Sequence, residues 1–148
     1  MIAPPDFFVD RSLGDKILPA LLRQAGMVVH PMAEVYGRRV AQTLADEVWI
    51  REATANGWAL LHKDTAIARR TQGRPGPLLA ALIEAGARAF CMMSADLSAQ
   101  RQVERILRHR ARIEQLARET PGPYVFGLYA HGLARIWPAE GAEAPGEG

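Results

Sequence analysis

The residues best suited to chemistry in this chain are aspartates placed at the ends of predicted strands. The chain has six aspartates, and three of them follow apolar runs: Asp10 after 7–9, Asp64 after 58–61 and Asp96 after 88–93. A carboxylate is costly to bury without a partner, so a strand that ends in one needs an explanation. The carboxyl ends of parallel strands lie at one edge of a sheet, where ligands bind. We therefore expect these three side chains to lie at a common edge.

Asp46 is the fourth candidate, and it belongs to a predicted helix. Asp46, Trp49, Ile50 and Ala53 recur at helical spacing, which puts Asp46 on the face that packs against the sheet. The neighbouring Glu47 lies about 100° away around the helix and is expected to be exposed.

The remaining two aspartates have structural explanations. Ser12 and Asp15 fit a capping box at the start of a helix. Asp6 precedes the first strand and is expected to be solvated.

Converging carboxylates repel each other, and a hard divalent cation relieves that repulsion. Mg²⁺ and Mn²⁺ prefer oxygen ligands and keep several waters. Asp10, Asp46, Asp64 and Asp96 therefore form a candidate metal cage. Each acid also has a simpler interpretation: a turn or cap residue after a strand, a cap of the long helix for Asp96, or a charge at a helix N-terminus for Asp46.

The elements that would position these acids alternate along the chain. Apolar runs predict strands at 7–9, 27–30, 58–61 and 88–93, and helical patterns predict helices at 12–25, 32–36, 43–56, 78–85 and 98–118, with a loop at 69–77. This order predicts an α/β fold with a parallel sheet and helices on both faces. Two strand-like runs around His131 predict a terminal β-hairpin within 123–138. We expect one domain over 1–138 and a disordered tail at 139–148.

Composition narrows the class of protein. Hydrophobic residues make up 49% and charged residues 23% of the chain, as in folded soluble domains. The single cysteine, Cys91, excludes an internal disulfide and a cysteine-based zinc site, and it suits a reducing cytoplasm. No apolar run has transmembrane length, and the N-terminus lacks the features of a signal peptide.

The basic residues are almost all arginine: 16 of 18, against a net charge of only +2. Arginine suits phosphate recognition, although a coding bias would give the same composition. One stripe on the long predicted helix could follow a phosphate backbone, namely Arg101, Arg105, Arg108 and Arg112. The stripe could equally be an ordinary solvated face, in which Glu104 pairs with Arg108.

The stretches FFVDRSLGDKILPALLRQAG and LADEVWIREATANGWALLHKD resemble the PIN domain superfamily, in the PIN-like branch related to VapC-type toxins. The resemblance runs from about Phe7 to Met93, and the segment 101–138 is also similar to that branch. It implies a three-layer α/β/α nuclease that cuts single-stranded RNA with Mg²⁺ or Mn²⁺.

Carried over by position, the resemblance implies roles for the four acids. Asp10 and Asp64 match the central metal ligands, Asp46 matches the helical acid that orients water or binds a second ion, and Asp96 matches a more variable fourth acid, also a metal ligand here. Substrate contacts are expected from arginines near the acids: Arg11, Arg69 and Arg70.

The sequence departs from the family at one place. The family often has Thr or Ser two residues before the third acid, and this chain has His62 there. That departure keeps open an alternative, a weak or inactive PIN-like module that binds RNA or protein. The resemblance further implies a small antitoxin partner and a homodimer. A haloacid-dehalogenase-type phosphatase is disfavoured, because Ser12 stands where its second Asp is needed.

Overall fold

The architecture is described by a computed structural model of residues 2–139. Its strands are β1 (Asp6–Val9), β2 (Val28–Pro31), β3 (Ala59–Lys63), β4 (Arg70–Thr71), β5 (Arg74–Pro75), β6 (Arg88–Met92), β7 (Tyr124–Tyr129) and β8 (Gly132–Trp137). Its α-helices are α1 (Ile17–Gln24), α2 (Met32–Tyr36), α3 (Arg38–Thr43), α4 (Asp46–Ala55), α5 (Pro77–Ala85), α6 (Ala99–Arg108) and α7 (Arg110–Glu119). Among these helices, none has the length and apolar composition needed to cross a membrane.

Six strands form the central sheet in the order β2-β1-β3-β6-β7-β8. All neighbours pair in parallel except β7 and β8, which form an antiparallel hairpin at one edge. Parallel strands are covered on both faces, which explains why Phe7, Phe8, Leu60 and Leu61 are fully buried. The predicted α/β fold is confirmed, and the terminal hairpin extends the main sheet. The predicted disordered tail lies, except for Ala139, outside the described residues.

Helices cover both faces of this sheet and give two apolar cores. One face carries α1, α6 and α7, with buried residues that include Leu18, Leu22, Ile106 and Ile113. The other carries α2, α3, α4 and α5, with Met32, Trp49, Ile50 and Leu82 among the buried residues. This is the three-layer α/β/α arrangement.

The predicted capping box at Ser12 is wrong. Residues Arg11–Leu13 form a short 3-10 turn capped by the side chain of Asp10, and α1 begins only at Ile17. Asp15 instead pairs with Arg38 at 3.4 Å. Ser12 therefore does not cap a helix, and its hydroxyl is available to groups at the end of β1.

Two predicted helices are broken in the structure. The helix predicted from residue 43 or 44 is interrupted at Leu44, whose backbone is extended, so that α4 begins at Asp46. The long helix 98–118 divides into α6 and α7 at His109, whose φ of −109° is not helical. The loop 69–77 contains a small hairpin, β4–β5. The first break matters for function, because it places Asp46 in the first turn of α4.

Candidate active site

Asp10, Asp64 and Asp46 gather around the carboxyl ends of two paired strands. Asp10 follows β1 directly and Asp64 follows β3 directly, and the parallel pairing of β1 with β3 brings both chain ends to the same edge. Burial lowers the pKa of the nearby His62 ring, and the negative charges of Asp10, Asp64 and Asp46 oppose that shift. The three acids therefore act on one buried imidazole.

Asp10 is the most buried of the acids, at 7% exposure. Its Oδ2 accepts hydrogen bonds from the backbone N–H of Ser12 (3.3 Å) and from the Ser12 hydroxyl (2.7 Å). Its Oδ1 is buried and has no hydrogen-bond partner in the described part of the chain. A buried carboxylate oxygen without a donor is costly, so Oδ1 is positioned for a ligand that supplies positive charge.

Ser12 joins the two strand ends that carry the central acids. Its Oγ donates to Asp10 and accepts a hydrogen bond from the backbone N–H of Lys63 at 2.9 Å. This role is not apparent from the sequence, in which Ser12 fits a helix cap. The available signal was a hydroxyl two residues after the first acid, within reach of the end of the paired strand.

Asp46 is fixed through one of its oxygens. Its Oδ1 accepts from the Trp49 indole N–H at 2.9 Å and from Nη2 of Arg11 at 3.2 Å. Arg11 also donates through Nη1 to the carbonyl oxygens of Ala41 (3.1 Å) and Leu44 (3.0 Å) at the break between α3 and α4. Arg11 thus holds the start of α4, and with it Asp46, against the end of β1.

Asp64 is half-buried, and its Oδ1 accepts from the backbone N–H of Ala66 at 2.9 Å. It also lines a cavity of about 260 Å³ together with Arg69 and Thr71. Asp64 therefore faces both the acid edge and the arginine-bearing segment that leads into β4.

Asp96 and the two loop arginines lie at the margin of this site. Asp96 is exposed in the segment between β6 and α6, one strand beyond β3. Arg69 lines the cavity beside Asp64, and Arg70 is exposed at the start of β4, with Nη1 bonded to the carbonyl oxygen of Ala68 at 2.9 Å.

The carboxylates at this edge are the type of ligand that a hard divalent cation prefers. The carboxylates of Asp10 and Asp64 supply oxygen ligands, and the unpartnered Oδ1 of Asp10 is an open ligand position. As the side chains stand, no three acidic, histidine or cysteine side chains within residues 2–139 are close enough to hold an ion. Asp10 is thus the residue whose environment most directly favours a cation.

His62 stands where the family often has Thr or Ser, and its ring lies close enough to Asp10, Asp64 and Asp46 for their charges to act on its pKa. It is 1% exposed, it lies beside Cys91 of β6, and neither ring nitrogen has a hydrogen-bond partner among the described residues. The register of β3 against β6, which pairs His62 with Cys91, shows that this side chain belongs to the interior of the sheet.

Comparison with known proteins agrees with this geometry. The family model of the PIN like domain matches residues 5–94, which contain Asp10, Asp46 and Asp64. The chain belongs to the PIN-like domain family. This PIN-like domain is also 36% identical over 129 residues to "Putative ribonuclease VapC45" of Mycobacterium tuberculosis (strain ATCC 25618 / H37Rv), a match that covers 87% of this chain and 89% of that protein. No solved structure matches the chain.

Proposed function

We propose that this protein is a metal-dependent endoribonuclease that acts as the toxin of a toxin–antitoxin pair. The observation that carries the proposal is the buried, unpartnered Oδ1 of Asp10, beside Asp64 at the carboxyl edge of the sheet. The similarity to a mycobacterial protein named as a ribonuclease of the VapC type supports RNA as the substrate and an antitoxin as the partner.

The residues divide the work as follows. Asp10 and Asp64, with Asp96 from the adjacent segment, would hold Mg²⁺ or Mn²⁺. Such an ion lowers the pKa of a bound water and neutralises charge on the phosphate. Asp46 would orient the attacking water through its Oδ2. Within residues 2–139, its Oδ1 accepts hydrogen bonds from Arg11 and Trp49, whereas Oδ2 accepts none and is available to a water.

The roles of the arginines differ with their contacts. Arg69 and Arg70 lie on an exposed segment that begins just after Asp64 and can bind the phosphates of the substrate. Arg11 is next to Asp10, and its guanidinium contributes positive charge at the same edge while it holds Asp46. The RNA would therefore cross the edge between these groups.

Further parts of the proposal concern the cellular setting. A small antitoxin would cover the acid edge, and the outer edge of the terminal hairpin, formed by β8, offers a contact for a homodimer. A single free cysteine, Cys91, buried in the sheet, is compatible with a reducing cytoplasm.

The test is cleavage of a pool of labelled structured RNAs with Mn²⁺, with Mg²⁺ and with EDTA. The wild type should cut only with a metal, and Asp10→Asn should abolish cutting. Asp6→Asn is the matched control, since Asp6 begins the same strand and lies at its opposite end. Equal cutting by the wild type and Asp10→Asn would refute the assignment of Asp10.

A second candidate is a PIN-like module that binds RNA or protein without cutting it. Two observations favour it: His62 replaces the common Thr or Ser, and the described acids do not by themselves close around an ion. Calorimetry with Mn²⁺ separates the candidates. No heat of binding and no cleavage would select the module, whereas metal binding that is lost in Asp10→Asn would support the nuclease.

A further inference from the structure

Five arginines line two neighbouring hollows beside the terminal hairpin. The first hollow, about 360 Å³, lies between α6 and Ala130, and the second, about 510 Å³, lies between α7 and the strands β7 and β8. We call this surface the arginine trough, and it consists of Arg101, Arg105, Arg108, Arg112 and Arg135. The break at His109 bends the predicted stripe, so Arg112 lies over the hairpin together with Arg135.

The trough begins at the same edge of the sheet as the acids. Arg105 Nη1 donates to the carbonyl oxygen of Leu128 at 3.1 Å and contacts Met92 Sδ at 3.8 Å, close to the ends of β7 and β6. Because β6 separates β3 from β7, the end of β7 lies two strand spacings, about 10 Å, from the strand that precedes Asp64. A chain bound at the acids can therefore continue into the trough.

Within residues 2–139, the arginines of the trough form no ion pair with an acidic side chain. Among the residues that line the two hollows, Glu104 of the first hollow is the acidic one. The ion pair of Glu104 with Arg108 does not form among the described residues. The neighbouring pair of Arg110 with Glu114 does form, at 3.1 Å, and it lies outside the trough. With a net charge of only +2 for the chain, five arginines on one surface concentrate positive charge there.

The floor of the trough is partly apolar. Phe126 and Leu133 are half-buried and line the second hollow. The ring of Phe126 packs against Phe90 and Tyr124, and the residue is only partly buried. Arginines beside a partly exposed aromatic residue are a combination found in proteins that bind single-stranded nucleic acid through phosphate contacts and stacking of bases.

We propose that the arginine trough binds the phosphate backbone of single-stranded RNA, several nucleotides away from the bond that is cut. This inference rests on the proposed function in that it takes RNA as the substrate. It assigns the trough to the RNA rather than to a protein partner, because the trough continues the acid edge and, among the described residues, Glu104 is the acidic side chain that lines it.

The test is RNA binding by full-length protein that carries Asp10→Asn, so that binding is measured without cleavage. Arg101 and Arg112 are exposed and make no bond to the backbone in the described residues, so replacing both with Gln should leave the fold intact. The Kd of a labelled single-stranded RNA of about 20 nucleotides is measured at several salt concentrations in EDTA. The logarithm of the association constant falls linearly with the logarithm of the salt concentration, and each phosphate contact contributes about −0.7 to that slope. The loss of two contacts in the double variant should therefore make the slope less steep by about 1.4.

The matched control replaces Arg51 and Arg118, which are exposed on α4 and at the end of α7, with Gln. It removes the same net charge and should leave the slope unchanged. If the Arg101→Gln, Arg112→Gln variant keeps the wild-type slope, the proposal is overturned. This holds also when that variant no longer binds an antitoxin, because the trough would then bind a protein partner and not the RNA. A lowered slope would support it even if the wild type cleaved no RNA, so failure of the trough and failure of the nuclease proposal can be told apart.

Discussion

Replacing the buried His62 with leucine should stabilise this protein, in contrast to most core substitutions. The ring is 1% exposed, and neither nitrogen has a hydrogen-bond partner among the described residues. Each unpaired buried polar group costs about 1–3 kcal/mol, so the two nitrogens together cost at least about 2 kcal/mol. A leucine of similar volume removes that cost and adds a shape mismatch of up to about 1.5 kcal/mol. We expect His62→Leu to raise the free energy of unfolding by about 1 kcal/mol at pH 8.

The same substitution should have a larger effect in acid. Burial lowers the pKa of His62 below its ordinary value of 6.5, against the opposing charges of Asp10, Asp64 and Asp46. As the pH falls through 6.5, the imidazole therefore becomes protonated in the unfolded state but stays neutral in the native state. The free energy of unfolding of the wild type decreases as a result. The leucine variant lacks this loss. Its advantage should grow by up to about 1.4 kcal/mol between pH 8 and pH 5.5.

Urea unfolding at pH 8 and pH 5.5, in EDTA to keep the acids free of metal, measures both quantities. His131→Leu is the control, because His131 is exposed in the turn of the terminal hairpin and its substitution should change stability by less than about 0.5 kcal/mol. A His62→Leu protein that is less stable than the wild type by 1 kcal/mol or more at both pH values would refute the reasoning, since the imidazole would then have partners that stabilise it.

Three further outcomes follow from named contacts. Ser12→Ala removes the hydroxyl that bonds both Asp10 and the Lys63 N–H, so urea unfolding should show a free energy of unfolding lower by about 2 kcal/mol, and cleavage should be reduced. Unchanged stability would contradict the role of Ser12 as a bridge. Burial raises the pKa of Cys91 to about 12, so a thiol reagent at pH 8 should label it only after unfolding in guanidinium; rapid labelling of the native protein would contradict this. Gly122→Ala would push a methyl group into two backbone carbonyls of the turn between α5 and β6, and a loss of about 2 kcal/mol is expected in the same unfolding assay; a neutral result would mean that the turn can move.

The convergence of Asp10, Asp46 and Asp64 was predictable because it depends on strand order and polarity alone. A carboxylate after each of two parallel strands must emerge at one edge, and the spacing of Asp46, Trp49 and Ile50 oriented the helix. The pairing of β1 with β3 puts Asp10 and Asp64 at one edge, and Asp46 bonds to Trp49 on the buried face of α4, although within residues 2–139 the acids do not close around an ion. The catalytic roles of these acids stay predictions.

Helix boundaries were less accessible, because they depend on tertiary contacts. The break between α3 and α4 is stabilised by Arg11, a residue more than 30 positions away, which binds the carbonyl oxygens of Ala41 and Leu44. At the break after His109, Arg110 donates a hydrogen bond to the carbonyl oxygen of Ala25 at the end of α1, a contact that is also remote in the sequence. Local propensity contains neither piece of information.

For Arg11, the position in the sequence and the direction of the side chain lead to different expectations. Its position next to Asp10 predicts contact with substrate, and the structure directs its guanidinium to the start of α4, where Nη2 reaches Asp46 and Nη1 reaches two carbonyl oxygens. A planar guanidinium suits this task better than an ammonium group, because it can bond in several directions at once. Since those bonds leave few N–H groups of Arg11 free, we expect phosphate contacts from the exposed arginines on either side of the acid edge: Arg69 and Arg70 beside Asp64, and the arginine trough beyond β7.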